Sequence, residues 1–224
     1  LAEALLRREG FANLLRVWHY FPHINAEEAG LERYRAFNRG RARSLESAPE
    51  IEARLPASTA VGTACPGFLV YFLASRLPIS AIENPRQVSA FLYPAEYGPR
   101  SPSFSRATVV RDAENPCLFV SGTASIVGHE TTHEQSALAQ LDEILVNIDA
   151  LMQVAQTVDL RIPSTSAGLS LLKVYVRNVT DATALRWRLE QRFRRHTDVL
   201  FLCGDICRLD LQLEIEGAYF GGHD

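Results

Sequence analysis

Imidazole, thiol, guanidinium and carboxyl groups gather at four places along this chain, and each place suggests a different chemistry. His129-Glu130-Thr131-Thr132-His133 has the spacing of H-E-x-x-H, in which two histidines one helical turn apart hold zinc and the glutamate acts as base. That chemistry needs a helix through the whole string. Gly128 lies immediately before it, and Thr131-x-x-Glu134 or Thr132-x-x-Gln135 makes a capping box that starts a helix inside the motif. His129 is then expected outside the helix, pointing elsewhere than His133, and no third ligand follows at the extended zinc-protease spacing. Cys203 and Cys207, with Asp205 and His196 nearby, have the wrong spacing for a zinc knuckle. No metal and no other cofactor is expected. Arg186, Arg188, Arg192, Arg194 and Arg195, interrupted by Trp187 and Phe193, read as a solvated helix face whose arginine stems cover apolar surface.

The fourth place is the pair Glu214 and Glu216. Leu211, Leu213 and Ile215 alternate with Gln212, Glu214 and Glu216, so a strand here turns the apolar set one way and the polar set the other. If the polar face is solvent, these are ordinary surface charges. If it lines a cleft, a carboxyl there is a candidate proton donor with a raised pKa.

Elements must position these groups, and the composition permits a sizeable core. The chain has 224 residues, 47% hydrophobic and 22% charged, which excludes disorder, collagen-like repeats and a disulfide miniprotein. Its 23 Lys plus Arg against 26 Asp plus Glu leave a formal charge of −3, so no global field attracts nucleic acid or an anionic membrane. Apolar-rich stretches at 61–74 and 144–155 fall short of the ~20 residues a bilayer span needs. The four cysteines (Cys65, Cys117, Cys203, Cys207) show no framework spacing and no signal sequence opens the chain, so a reducing cytoplasm is expected. The chain starts at Leu1 and its only methionine is Met152, the mark of a fragment or a trimmed product.

Residues 1–54, rich in Glu, Arg, Ala and Leu, predict two helices split near Phe21-Pro22-His23. Aromatic and β-branched runs bounded by Pro and Gly predict strands at 61–64, 68–73, 88–93, 104–111 and 117–122. A Pro- and Ser-rich link at 93–103 carries Tyr97 and Arg100 and serves as a connector or as part of a site. Ala137, Leu141, Ile144, Leu145, Ile148, Leu151 and Met152 repeat at three and four residues, the pattern of a core-facing helix. A strand at 169–176, a helix at 181–194 capped by Thr180 or Asp181, and strands at 199–203 and 209–215 complete a β-α-β-α-β-β order from Cys117. The expected class is α+β, with helices on one face of a sheet.

Several blocks together resemble the chorismatase family: Tyr20-Phe21-Pro22-His23-Ile24-Asn25, Gly30-Leu31-Glu32-Arg33-Tyr34-Arg35, Glu83-Asn84-Pro85-Arg86, Tyr97-Gly98-Pro99-Arg100-Ser101-Pro102, Ser121-Gly122-Thr123-Ala124-Ser125, Gly204-Asp205-Ile206-Cys207-Arg208 and Leu213-Glu214-Ile215-Glu216-Gly217. The resemblance covers nearly the whole chain. It implies a RidA/YjgF-like, chorismate-mutase-like fold of two related units: a partial N-terminal unit over 1–102 with two leading helices, and a catalytic unit over 103–224. It also implies that the Gly128-His129-Glu130 loop has no metal role.

By the same resemblance the substrate is chorismate, from which the enolpyruvyl group leaves as pyruvate, with Glu214 as the catalytic acid. Tyr97, Arg106 and Arg177 are the implied anchors for the two substrate carboxylates, with Gly122 and Ala124 shaping the pocket wall. Arg177 has an equally simple reading as a surface ion pair. Cys207, seven residues before Glu214, resembles the hydroxybenzoate-forming branch, implying 3-hydroxybenzoate and also 4-hydroxybenzoate, as in pigment and ubiquinone biosynthesis. Hydrolysis of chorismate to a dihydroxycyclohexadiene carboxylate, an enamine/imine deaminase of the wider RidA type, and a non-catalytic small-molecule-binding protein are the alternatives. Oligomeric state is left open.

Overall fold

The computed structural model describes residues 8–45, 55–112, 114–193 and 197–222. Strand β1 (Asn13–Pro22) is followed by a short hairpin of β2 (Glu27–Glu28) and β3 (Leu31–Glu32), then helix α1 (Arg33–Leu45). β4 (Ala57–Thr63) pairs parallel with β1, and β5 (Leu69–Ser75) pairs antiparallel with its other edge, giving a three-stranded sheet of order β4-β1-β5. Of the stretch expected as the first of two leading helices, residues 1–7 lie outside the described residues and Asn13–Pro22 is corrected to strand; among the described residues α1 alone is a helix of several turns before residue 55. The physical reason is burial on both faces. Arg16, Trp18 and Tyr20 turn one way, towards Glu216 and Tyr175. His19 and Phe21 turn the other way, onto Phe37 of α1. A strand buried on both sides loses the apolar–polar alternation that identifies half-buried strands.

The second sheet has six strands. β6 (Ile79–Ile82), β7 (Ala107–Val110) and β8 (Cys117–Thr123) form an antiparallel run, and a small hairpin of β9 (Ile126–Val127) and β10 (Glu130–Thr131) leads into helix α2 (Ala137–Val158). β11 (Leu171–Val176), helix α3 (Ala182–Arg192), β12 (Asp198–Cys203) and β13 (Leu213–Phe220) complete the order β12-β11-β13-β8-β7-β6. β11 and β12 are parallel, with α3 as their crossover, and the other neighbours are antiparallel. From Cys117, apart from the small hairpin, this is the expected β-α-β-α-β-β sequence in an α+β molecule. β6 lies before residue 102 yet joins the sheet of the later unit.

Three boundaries differ from expectation. Residues 88–93 hold a 3₁₀ turn at Ala90–Leu92: the Val88 N–H goes to Gly128 O at 2.8 Å, and the Leu92 and Tyr93 N–H groups turn back to Ser89 O at 2.9 Å and Ala90 O at 3.2 Å. α2 starts after Ser136, whose hydroxyl accepts the Ala139 N–H at 3.2 Å, so Ser136 is the cap in place of Thr131 or Thr132. The last strand begins at Leu213, because residues 206–211 form a loop gathered by Arg177.

α2 and α3 cover one face of the large sheet. Leu141, Ile144, Leu145, Ile148, Leu151, Met152, Leu185 and Leu189 meet Leu118, Val120, Leu172, Val174, Leu213 and Ile215 in the main core. The opposite face meets the three-stranded sheet through Leu15, Ala57, Phe119 and Ala218. No described helix is long and apolar enough to cross a membrane. Among the described part of the basic run, Arg188 pairs with Asp142 at 2.8 Å and Arg192 pairs with Asp149, so these arginines staple α3 to α2. Arg194 and Arg195 lie outside the described residues, as does His196.

Ile148 is fully buried between α2 and the sheet. Ile148→Ala is expected to destabilise the protein by about 2–5 kcal/mol through lost transfer energy and a residual cavity, measurable by urea unfolding.

Candidate active site

Alternation along β13 sends Leu213 and Ile215 into the main core and Glu214 and Glu216 towards the smaller sheet. Neither carboxyl reaches bulk solvent: Glu214 is 5% and Glu216 4% exposed. Two carboxylates on one face of one strand, both in low dielectric, cannot both ionise cheaply. The protein resolves this with donors. Arg16 Nη2 reaches Glu216 Oε2 at 2.8 Å, the Thr59 hydroxyl donates to the same oxygen at 2.7 Å, and Trp18 Nε1 donates to Oε1 at 2.7 Å. Lys173, directly across the β11–β13 ladder, reaches Oε1 at 2.9 Å. Burial pushes the Glu216 carboxyl up, but the Arg16 and Lys173 charges and the two neutral donors outweigh it and hold it below the usual carboxylate range.

Glu214 receives none of this help. It makes no hydrogen bond to the described residues, and burial, reinforced by the Glu216 charge, pushes its pKa up to about 8 against the pull of Arg16 and Arg106. At neutral pH it is mostly a carboxylic acid. Its carboxyl lies on Gly122: a Cβ at that position would fall 1.8 Å from Glu214 Oε1 and 2.6 Å from Cδ. The Gly122 N–H in turn donates to the Thr59 hydroxyl at 3.0 Å. Thr59 thus joins the wall under Glu214 to the ionised Glu216.

Glu214 lines a cavity of about 1020 Å³ at the meeting of α1, β4, β8 and the loops before β7 and β13. Of the residues expected at the site, Glu214, Cys207, Tyr97, Arg106, Gly122 and Ala124 all line it. Burial, then the proximity of Glu214, pushes the Cys207 thiol up to about 12, so it is a neutral, space-filling group. Arg106 is 5% exposed, donates from Nη2 to Val88 O at 2.8 Å and to the Tyr93 hydroxyl at 2.9 Å, and lies over the Phe104 ring. Tyr97 carries the Arg208 guanidinium 4.1 Å above its ring and reaches His129 Nδ1 through its hydroxyl at 3.2 Å.

Arg177 is the correction. It is not among the cavity-lining residues, and its guanidinium is spent on the loop before β13: Asp205 Oδ1 at 2.7 Å, and the carbonyls of Leu211 at 3.0 Å, Ile206 at 3.1 Å and Arg208 at 2.9 Å. It shapes the segment that carries Cys207 and Arg208, reaches Asn25 Oδ1 at 3.3 Å, and its pairing with Asp205 matches the alternative reading as an ion pair. The H-E-x-x-H string runs through the β9–β10 hairpin, not a helix; His129 turns to Tyr97 while His133 turns to Glu143 at 3.4 Å.

Sequence reasoning missed Arg35, Asn38, Arg41 and Arg208, which also line the cavity. Arg35 and Arg208 lie inside blocks already singled out for the family resemblance, and that was the available signal. Arg41 appears only as one charge of a basic helix. In the fold it is half-buried, held by Ser103 O at 3.1 Å, His19 Nε2 at 2.8 Å and Ser58 Oγ at 3.2 Å. Burial and then the Arg41 charge hold the His19 imidazole down at about 3, so His19 is a neutral acceptor. Two buried donors of the lining, Arg106 Nε and Asn38 Nδ2, have no hydrogen-bond partner among the described residues. Buried donors are rarely left so, and unmet ones in a cavity wall are what a polar ligand satisfies.

The family model described as chorismatase FkbO/Hyg5-like, N-terminal, matches residues 2–74. A crystal structure of a chorismatase superposes with a TM-score of 0.92 at 36% identity, covering 97% of this chain and 67% of that one. The chain belongs to the chorismatase family. A 3-hydroxybenzoate synthase of Streptomyces hygroscopicus is 40% identical over 225 residues, which is 96% of this chain and 65% of that protein. A chorismatase of Streptomyces rapamycinicus is 41% identical over 215 residues, 93% of this chain and 64% of its own length. This chorismatase chain therefore spans a little under two thirds of the curated relatives it matches.

The seat of Glu214 gives a direct check. Gly122→Ala is expected to displace the carboxyl and reduce turnover by about a hundredfold, the scale of a misplacement near 1 Å, while the variant still folds. A crystal structure of the variant reads the displacement, and a carboxyl found unmoved would contradict the packing described here.

Proposed function

We propose that this chain forms the catalytic part of an enzyme that releases pyruvate from chorismate, with Glu214 as general acid. The observation that carries this reading is a buried carboxyl, without a hydrogen bond to the described residues and with its pKa pushed up to about 8 by burial, at the wall of a cavity rich in arginine. The enolpyruvyl ether of chorismate is activated by protonation at its terminal methylene carbon. An acid that must protonate carbon needs a proton uncommitted to a stronger acceptor, and a buried carboxyl with a pKa near the working pH meets that need.

Proton transfer from Glu214 to the methylene makes the adjacent ether carbon an oxocarbenium centre. For 3-hydroxybenzoate, the C4 hydroxyl oxygen bonds to C3 as the C3–O ether bond breaks and pyruvate leaves, its proton returns to Glu214, and the resulting epoxide opens at C4 as C3 loses its hydrogen and the ring aromatises; for 4-hydroxybenzoate, the C3–O bond breaks and the proton lost directly from C4 returns to Glu214. The net change divides chorismate into hydroxybenzoate and pyruvate without consuming water. In the hydrolytic alternative, water adds to the cation and a dihydroxycyclohexadiene carboxylate leaves. Arg106 and Tyr97 are proposed as anchors for the substrate carboxylates, and Arg35, Arg41 and Arg208 supply further positive charge in the same lining. The unmet Arg106 Nε and Asn38 Nδ2 support this assignment. Ala124 and Gly122 leave room beside the acid.

The proposed product is 3-hydroxybenzoate, accompanied by 4-hydroxybenzoate. The 3-hydroxybenzoate synthase of Streptomyces hygroscopicus supports the first, as does the thiol of Cys207 close to Glu214. A reducing cytoplasm is the proposed location, in keeping with the four free cysteines.

Glu214→Gln is expected to lower pyruvate release from chorismate by about 10²–10⁴-fold. Because the acid form is the active one and its pKa is raised to about 8, the wild-type rate is expected to hold below that pH and fall as pH rises through it. A folded Glu214→Gln protein releasing pyruvate at the wild-type rate would end this reading. Cys207→Val, which replaces the thiol by a branched aliphatic, is expected to shift the products towards the non-aromatic diene; chromatography of the products decides it.

A further inference from the structure

Glu216 is buried, ionised and tied to both sheets, yet it is not among the residues lining the cavity. Four donors converge on it: Arg16 and Trp18 from β1, Thr59 from β4 and Lys173 from β11. A surface ion pair would not require such a collection. A buried ion pair also does little for stability, since desolvation of both charges offsets most of their attraction. The question is what the arrangement holds in place.

Two features of the geometry answer it. Glu214 and Glu216 share one face of β13, so the Glu216 charge acts on Glu214 through dry protein rather than water. The Thr59 hydroxyl donates to Glu216 Oε2 at 2.7 Å and accepts the N–H of Gly122, the residue against which the Glu214 carboxyl rests, at 3.0 Å. We propose that Glu216 is a positioning residue: its fixed negative charge keeps Glu214 in the acid form, and through Thr59 it holds the Gly122 wall on which that acid is seated. This rests on the reading of Glu214 as the proton donor and adds to it the device that keeps the donor loaded.

The charged and titratable groups around the pair come from every neighbouring element. Arg16 and Tyr20 face it from β1, Lys173 and Tyr175 from β11, Tyr34 from α1, Arg106 from the entry to β7 and Cys207 from the loop before β13. The arginines draw Glu214 towards ionisation. Burial of the three tyrosines and the cysteine keeps them neutral, so they do not oppose the arginines. Glu216 is the negative charge on the other side of the balance.

The test is the pH dependence of pyruvate release together with a direct titration of the Glu214 carboxyl by carbon NMR, in wild type, Glu216→Gln and the double variant Glu216→Gln/Lys173→Met. The double variant removes one charge of each sign, keeps the net charge of the cluster and guards against a single variant that does not fold. The Glu214 titration and the alkaline limb of the rate profile are both expected to move down by about one pH unit or more, a tenfold change in the acid–base ratio. Thr59→Val, which leaves every charge in place, is expected to lower kcat without moving the limb. A folded double variant whose Glu214 titrates as in wild type overturns the proposal. A carboxyl titration that falls while the rate limb stays fixed upholds the role of Glu216 and counts against Glu214 as the proton donor, so the two ideas fail separately.

Discussion

Two carboxyl groups two residues apart on β13 are buried between sheets where only one of them can be charged. Donors decide which. Arg16, Trp18, Thr59 and Lys173 all go to Glu216, and Glu214, without a hydrogen bond to the described residues, is left with a glycine wall and a cavity. The cost of burying a carboxylate without partners far exceeds that of burying a neutral acid, so Glu214 holds its proton. Much of the interior of the molecule follows from this division. β1 must present Arg16 and Trp18 on the face towards β13, β4 must bring Thr59 between Glu216 and Gly122, and β8 must have no side chain at residue 122.

The smaller sheet is therefore part of the acid's environment as well as a cover for the large sheet. Its central strand is buried on both faces. Arg16 and Trp18 serve the carboxyl pair, while His19 and Phe21 pack against α1 and fix the helix that brings Tyr34, Asn38 and Arg41 to the cavity. Tyr20 closes the same surface by a 2.7 Å hydrogen bond to Tyr175, the residue directly opposite Glu214 in the β11–β13 ladder. A hydroxyl pair there fills space near the acid and is held neutral by burial, so it adds no competing charge.

What could be read in advance tracks how local each signal is. The period-two pattern of residues 211–216 put Glu214 and Glu216 on one face, and the three- and four-residue spacing of 137–152 marked α2, because both depend on near neighbours alone. β1 was misread because a doubly buried strand shows no alternation and its arginine and leucines suit a helix equally well. Arg177 was misassigned for a related reason: residue type and a strand-end position cannot reveal that the carbonyls of residues 206, 208 and 211 need a donor. Arg41 and Asn38 were missed because their role depends on where α1 docks. Arg208 and Arg35 lay inside the blocks that carried the family resemblance, so comparison of those blocks, not the chemistry of the residues, was the route to them.

The arginines that suit the cavity to a dianion also work against its acid. Arg106 and Arg16 both favour the ionised form of Glu214, and a site built from a carboxyl and several guanidinium groups alone would discharge the proton it needs. Adding negative charge at the cavity wall would correct this but would repel the substrate. Glu216 avoids both faults because it lies behind the wall. There its charge is neutralised towards the smaller sheet by Arg16 and Lys173 and is still felt by Glu214 along the same face of β13. The overall charge of −3 has no bearing on this balance. The site depends on which side of one glycine each carboxyl occupies.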